Sequence, residues 1–203
     1  MTNQIDKSFS CLKFSIAHPK KSNRLTVFFR LFYAIPIVFV LLLVTGFNDN
    51  CLAFAGILFL PCLLAILFRK KYPKWWFDWN FAITKFSLRV SSYLLLLRDE
   101  YPSFDEDQSV NLELKYPNAA AELSRGMPLV KWFLAIPHYV ILIFLHISVI
   151  LLTIIAWFSI LFTGKYPAKI HEFVVGVIRW SLRVCAYAFM LITDEYPPFS
   201  LSE

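Results

Sequence analysis

The chain has 203 residues, of which 58% are hydrophobic and 18% aromatic, and its mean hydropathy is +0.59. A soluble domain carries roughly 45–50% apolar residues, and one of this size could not bury the excess, so the bilayer is expected to act as part of the solvent. The net charge of +6 then marks cytoplasmic loops and anionic headgroups rather than nucleic acid.

The first 25 residues are polar and include Lys7, Lys13, Lys20, Lys21 and Arg24. They lack an apolar core followed by a small-residue cleavage site, so no cleavable signal peptide is expected. Within them Leu12, Phe14 and Ile16 alternate with Lys13 and Ser15, and further on Leu112, Leu114 and Tyr116 alternate with Glu113 and Lys115. Period-two patterning predicts two short, half-buried strands able to pair with each other outside the bilayer.

The apolar segments follow. Val27–Val44 and Leu52–Phe68 are each about long enough to cross roughly 30 Å of hydrocarbon, with a polar turn at Gly46 and Asn48-Asp49-Asn50 between them. Leu129–Phe162 is one long apolar run in which His146 and Ser148 are the polar residues nearest the middle. As one helix it would run about 50 Å, so the sequence predicts a second hairpin there by analogy with the first. Pro36 and Pro137 are expected to kink the first arms.

Much of the chain occurs twice. Arg24 with Ala34-Ile35-Pro36 matches Arg125 with Ala135-Ile136-Pro137. Lys71-Tyr72-Pro73, Arg89 and Asp99-Glu100-Tyr101-Pro102 match Lys165-Tyr166-Pro167, Arg183 and Asp194-Glu195-Tyr196-Pro197. The expected fold is an all-α integral membrane protein of two tandem parallel repeats, residues 8–104 and 108–199. Each repeat is a transmembrane helical hairpin (about 27–69 and 129–163) plus an amphipathic interfacial helix (about 75–97 and 170–192), with the short extramembrane strands. Arg69, Lys70, Lys71 and Lys74 follow one hairpin, and Lys165 and Lys169 the other. The positive-inside rule therefore puts both basic turns and both termini on the cytoplasmic side of a multi-pass protein.

In the third segments Asp78, Lys85 and Arg89, like Glu172, Arg179 and Arg183, fall on one helical stripe. Lys85, Arg89, Arg179 and Arg183 are the candidate anion-binding residues, facing lipid phosphate or else pairing with the acidic turns. The turn residues Tyr72, Pro73, Asp99, Glu100, Tyr101, Pro102, Tyr166, Pro167, Asp194, Glu195, Tyr196 and Pro197 read as structural, with tyrosine as an interface anchor. His138, one residue after a proline, is a candidate polar site. The cysteines Cys11, Cys51, Cys62 and Cys185 show neither a C-x-x-C pair nor ligand spacing and read as small buried hydrophobes. No metal site or other cofactor is expected. The chain carries no H-E-x-x-H, Walker A, G-x-S-x-G or G-x-G-x-x-G motif, which weakens an enzyme reading.

Leu134-Ala135-Ile136-Pro137-His138-Tyr139, Phe162-Thr163-Gly164-Lys165-Tyr166-Pro167, Arg179-Trp180 with Arg183, and Asp194-Glu195-Tyr196-Pro197-Pro198-Phe199 resemble the bacterial membrane-protein family catalogued as domain of unknown function 4389. The first half is a degraded match, with Ile37 for the histidine and Ser103 for the second proline of the acidic turn. The resemblance implies a bacterial inner-membrane address and no particular activity. The expected function is a non-enzymatic accessory or scaffold protein that binds anionic lipid headgroups and a larger membrane complex or further copies of itself. The alternatives are a small transporter or channel formed by oligomerisation and, behind it, an enzyme acting on lipid.

Overall fold

In a computed structural model of the protein, residues 11–16, 24–45, 62–103, 108–119 and 123–202 are described. The expected polar turn at residues 46–50 and most of the second arm of the first hairpin lie outside these residues. The described chain is mostly helical: β1 (Leu12–Ile16), α1 (Arg24–Thr45), α2 (62–69), α3 (Lys74–Leu94), β2 (Val110–Leu114), α4 (Met127–Leu134), α5 (Ile136–Thr163) and α6 (Ala168–Ala188).

Both alternating stretches form strands, and they pair with each other. β1 and β2 are antiparallel, with Phe14 opposite Leu112 and Lys13 opposite Glu113. Leu12, Phe14 and Ile16 are buried while Lys13 and Ser15 are exposed, as the pleat requires.

The second hairpin is not formed. Residues 129–163 instead contain the short α4, a break at Ala135, and one uninterrupted helix, α5. Pro137 explains the break: it has no N–H to give, and its ring would collide with the carbonyl of Phe133. Nothing of comparable force interrupts residues 138–163, because His146 and Ser148 satisfy their polar atoms on their own helix, at the carbonyls of Leu142 (2.7 Å) and Phe144 (3.0 Å). At 28 residues, α5 is about 42 Å long. Among the described residues it is the one helix long and apolar enough to cross a membrane. α1 would make a second if its arms Arg24–Arg30 and Phe32–Leu42, bent by 51°, are counted as one span. The multi-pass expectation is reduced accordingly.

α5 ends on Gly164, whose φ of 72° places it in the left-handed region, with its N–H on the carbonyl of Ile160 at 2.7 Å. Lys70 occupies the matching place after α2, with φ 48° and its N–H on Ile66 at 3.1 Å. Both turns then enter the next helix through proline, Pro73 before α3 and Pro167 before α6.

The elements stack in three layers. Trp180, Val184 and Tyr187 of α6 pack with Ala135 and Leu142 on one side. Val175, Leu182 and Ala186 join the cluster that holds Leu12, Phe14, Val110 and Leu112. Residues 180 and 182 point about 200° apart on a helix, so α6 lies between α5 and the sheet. α3 repeats the pattern: Phe86 and Val90 meet Ile37 of α1, while Leu88 belongs to the cluster with the strands. α1 and α5 thus form one outer layer, α3 and α6 the middle, and the sheet the other face.

Within the middle layer the two helices run antiparallel. Tyr72, at the start of α3, donates its hydroxyl to the carbonyl of Met190 beyond α6. Tyr166, at the start of α6, donates to Leu95 beyond α3 at 3.4 Å. Both tyrosines are buried, so instead of anchoring at a membrane surface they fasten the start of each helix to the end of the other. The two basic turns consequently sit at opposite ends of the layer.

Candidate functional site

The acidic turns hold two buried cations that lie outside the helical stripes. Lys131 is completely buried on α4. Its Nζ is 2.7 Å from Asp194 Oδ1 and donates to the carbonyl of Thr193, also at 2.7 Å, while lying 5.2 Å from the centre of the Tyr187 ring. The backbone N–H of Ser124 donates to the other carboxylate oxygen at 2.6 Å. The first half holds the counterpart group. Arg30 pairs with Asp99, donates to the carbonyl of Tyr93 at 3.1 Å and sits 4.6 Å over the Tyr93 ring. A buried charge is tolerated when it is paired and hydrogen-bonded, and the aromatic face adds further attraction. Each lock ties the first apolar helix of its half to the far end of the third.

The turn residues support these locks. Pro102 and Pro197 are buried, and Tyr101 and Tyr196 are exposed. They pack edge-on against Tyr93 and Tyr187 at 5.8 and 5.7 Å. Tyr196 also donates to the carbonyl of Leu134 at 3.1 Å. Glu100 turns outward and accepts from the Ser109 hydroxyl and N–H, which holds its carboxyl below the usual range. Glu195 is exposed.

Arg89 and Arg183 are placed in the interior. They are 3% and 4% exposed, and they donate to backbone carbonyls, Arg89 lying close enough to the first acidic turn to help hold the Glu100 carboxyl below its usual range. Arg89 reaches Ser103. Arg183 reaches Ser200 at 3.2 Å and Ser202 at 2.7 Å. Arg179 is half-buried and joins Leu201 (3.3 Å) to Phe14 of β1 (3.4 Å). Lys85 is half-buried. The charged stripe therefore runs from exposed Glu172 into the interior, where the segment 198–202 covers it.

That segment crosses α6 at Gly176. A Cβ there would stand 3.0 Å from both the Cβ and the carbonyl oxygen of Leu201. Gly176→Ala is expected to destabilise the protein by about 1–3 kcal/mol through overpacking against a backbone that cannot swing aside. Gly126→Ala, with nothing within 4 Å of the added carbon, should leave thermal stability in detergent unchanged or slightly raised.

His138 is fully buried beneath Phe199, stacked at 4.0 Å between ring centres. Trp180 Nε1 donates to its Nδ1 at 3.1 Å, which assigns the hydrogen to Nε2. Nε2 has no hydrogen-bond partner among the described residues. The histidine serves the packing of α5 on α6 and the C-terminal segment.

A partly open cleft of about 330 Å³ is lined by Cys11, Lys115, Pro117, Ile192, Thr193, Asp194 and Glu195. Burial pushes the Cys11 thiol up to about 12, so it is a poor nucleophile there. Among the described residues, exposed cations gather at the two basic turns, Arg69, Lys71 and Lys74 at one and Arg24, Lys165 and Lys169 at the other, while Lys13, Lys115 and Arg125 are exposed elsewhere. Sequence reasoning used most of these only to orient the chain.

Neither the curated proteins nor the solved structures contain a match to this chain. Residues 127–200, the span of α4 through the segment that covers α6, match the family described as Domain of unknown function (DUF4389). The locked, arginine-bridged second half of the chain is therefore similar to the DUF4389 family over residues 127–200.

Proposed function

We propose that the protein is a non-enzymatic, membrane-associated accessory or scaffold protein that holds anionic lipid headgroups and works beside a larger membrane partner or further copies of itself. The observation that carries this reading is the outer face of α5. Ile136, Val140, Ile143, Phe144, Ile147, Ile150, Leu151, Ile154, Ile155, Phe158 and Phe162 are all at least half exposed, and only 17% of its most apolar window is buried. A water-soluble protein does not present such a column. The column ends at Lys165 and Lys169, whose exposed ammonium groups fit headgroup phosphate. The bacterial inner-membrane address rests on the family resemblance. Detergent-free flotation with vesicles of phosphatidylethanolamine, with and without phosphatidylglycerol, tests the reading. The protein should float with both and be retained more strongly by the anionic ones. Lys165→Glu with Lys169→Glu should weaken that preference by roughly tenfold or more, since each cation near an anionic surface contributes about 1 kcal/mol. Failure to float, or equal retention with and without phosphatidylglycerol, would overturn it.

A further inference from the structure

We infer that the protein lies flat in one leaflet, with α1 and α5 in the hydrocarbon, α3 and α6 at the headgroup level and the β1–β2 sheet in water, and does not cross the bilayer through α5. The inference rests on the membrane-association reading and fixes the geometry of that association.

The sheet decides the orientation. β1 lies along the middle of α6, since Arg179 reaches the carbonyl of Phe14. If α5 and α6 stood upright across the membrane, the sheet would sit near the bilayer centre. Its outer face carries Lys13 and Glu113, whose side chains are 85% and 74% exposed, together with exposed Ser15 and Asn111. Charged groups at that depth are expensive. A sheet of two strands also has two open edges, and unpaired strand edges do not occur against hydrocarbon. Turning the slab flat puts the same groups in water.

The apolar surface agrees. It begins at Leu129 and Phe133 on α4 and continues along α5 to Phe162, while the opposite side of α5 (His138, Leu142, Val149, Ala156, Ile160) is buried along the whole helix. That strip, more than about 42 Å long, exceeds the roughly 30 Å of hydrocarbon a perpendicular helix would need to cover. Flat placement also brings the two basic turns, at opposite ends of the antiparallel α3–α6 layer, to one depth. Trp75, Trp79 and Trp132 are exposed, and indoles favour that depth.

The test uses the unaltered protein in right-side-out and inside-out vesicles from the expressing bacterium, treated with a membrane-impermeant amine reagent and read by mass spectrometry. Lys13, Lys71, Lys74, Lys165 and Lys169 should all be modified in one kind of vesicle and none in the other. Modification of Lys71 and Lys165 in opposite kinds, or protection of Lys13 in both, would overturn the flat placement while leaving membrane association intact. Recovery of the protein in the soluble fraction would instead overturn the membrane reading, and the flat placement with it.

Discussion

Replacing Lys131 with methionine is expected to lower stability by about 3–5 kcal/mol, the range for removing one partner of a buried ion pair. Lys131 is wholly buried and Asp194 is mostly so. The substitution leaves the carboxylate facing an apolar side chain and the carbonyl of Thr193 without its donor. Lys131→Met combined with Asp194→Asn should recover much of the loss, because no uncompensated charge then remains. Lys13→Met breaks an ion pair of 3.5 Å between two largely exposed side chains and should have no measurable effect. Trp132, which donates to the carbonyl of Ala188 at 2.8 Å, gives a fluorescence signal for thermal unfolding in detergent. A Lys131→Met transition as mild as that of Lys13→Met would sink the idea that this pair locks the turn.

The second large effect is expected at Arg183. Hydrogen bonds from a charged donor contribute about 1.5–3 kcal/mol each, and Arg183 makes two to the C-terminal segment. Glutamine is too short to reach both carbonyls. Arg183→Gln should therefore release residues 198–202, seen as faster amide exchange there and faster trimming by carboxypeptidase, while α6 stays helical and retention on phosphatidylglycerol vesicles is unchanged. The lysine reversals at 165 and 169 should behave in the opposite way, losing lipid retention with the segment still held. If Arg183→Gln lost the vesicles and kept the segment, the guanidinium would have to be reassigned to the headgroups.

The local periodicities were readable before any coordinates. The alternation of Leu12, Phe14 and Ile16 gave β1, and the third segments, expected near 75–97 and 170–192, are helices over Lys74–Leu94 and Ala168–Ala188. The hairpin over 129–163 failed because the run was measured as one helix of about 50 Å, whereas Pro137 divides it at Ala135 and nothing after that turns the chain back. Arg30 and Lys131 were passed over because they look like ordinary flanking cations. The usable signal was that each sits inside its apolar run, six residues after an arginine (Arg24, Arg125) and four before Ala-Ile-Pro. No spacing rule could have foretold that His138 meets Trp180 or that Arg183 meets Ser202, since both depend on how α5 and the last residues settle on α6. The arginines of α6 were read as facing lipid phosphate or the acidic turns because a single helix shows only one stripe and not what will cover it.

The pairing of β1 with β2 has a consequence for how the chain is made. Leu12 finds Leu114, and Phe14 is reached by Arg179. The opening strand therefore leaves the ribosome long before anything that can pair with it. At about 5–20 residues per second, roughly 5–20 s pass before β2 is synthesised. During that interval the nascent chain carries an open strand edge beside strongly apolar helices, the combination most prone to mispairing. Closure of so distant a contact is also slow in itself. Insertion during synthesis, with a chaperone or the translocon shielding the first strand, would suit this fold better than release into the cytosol as a finished polypeptide.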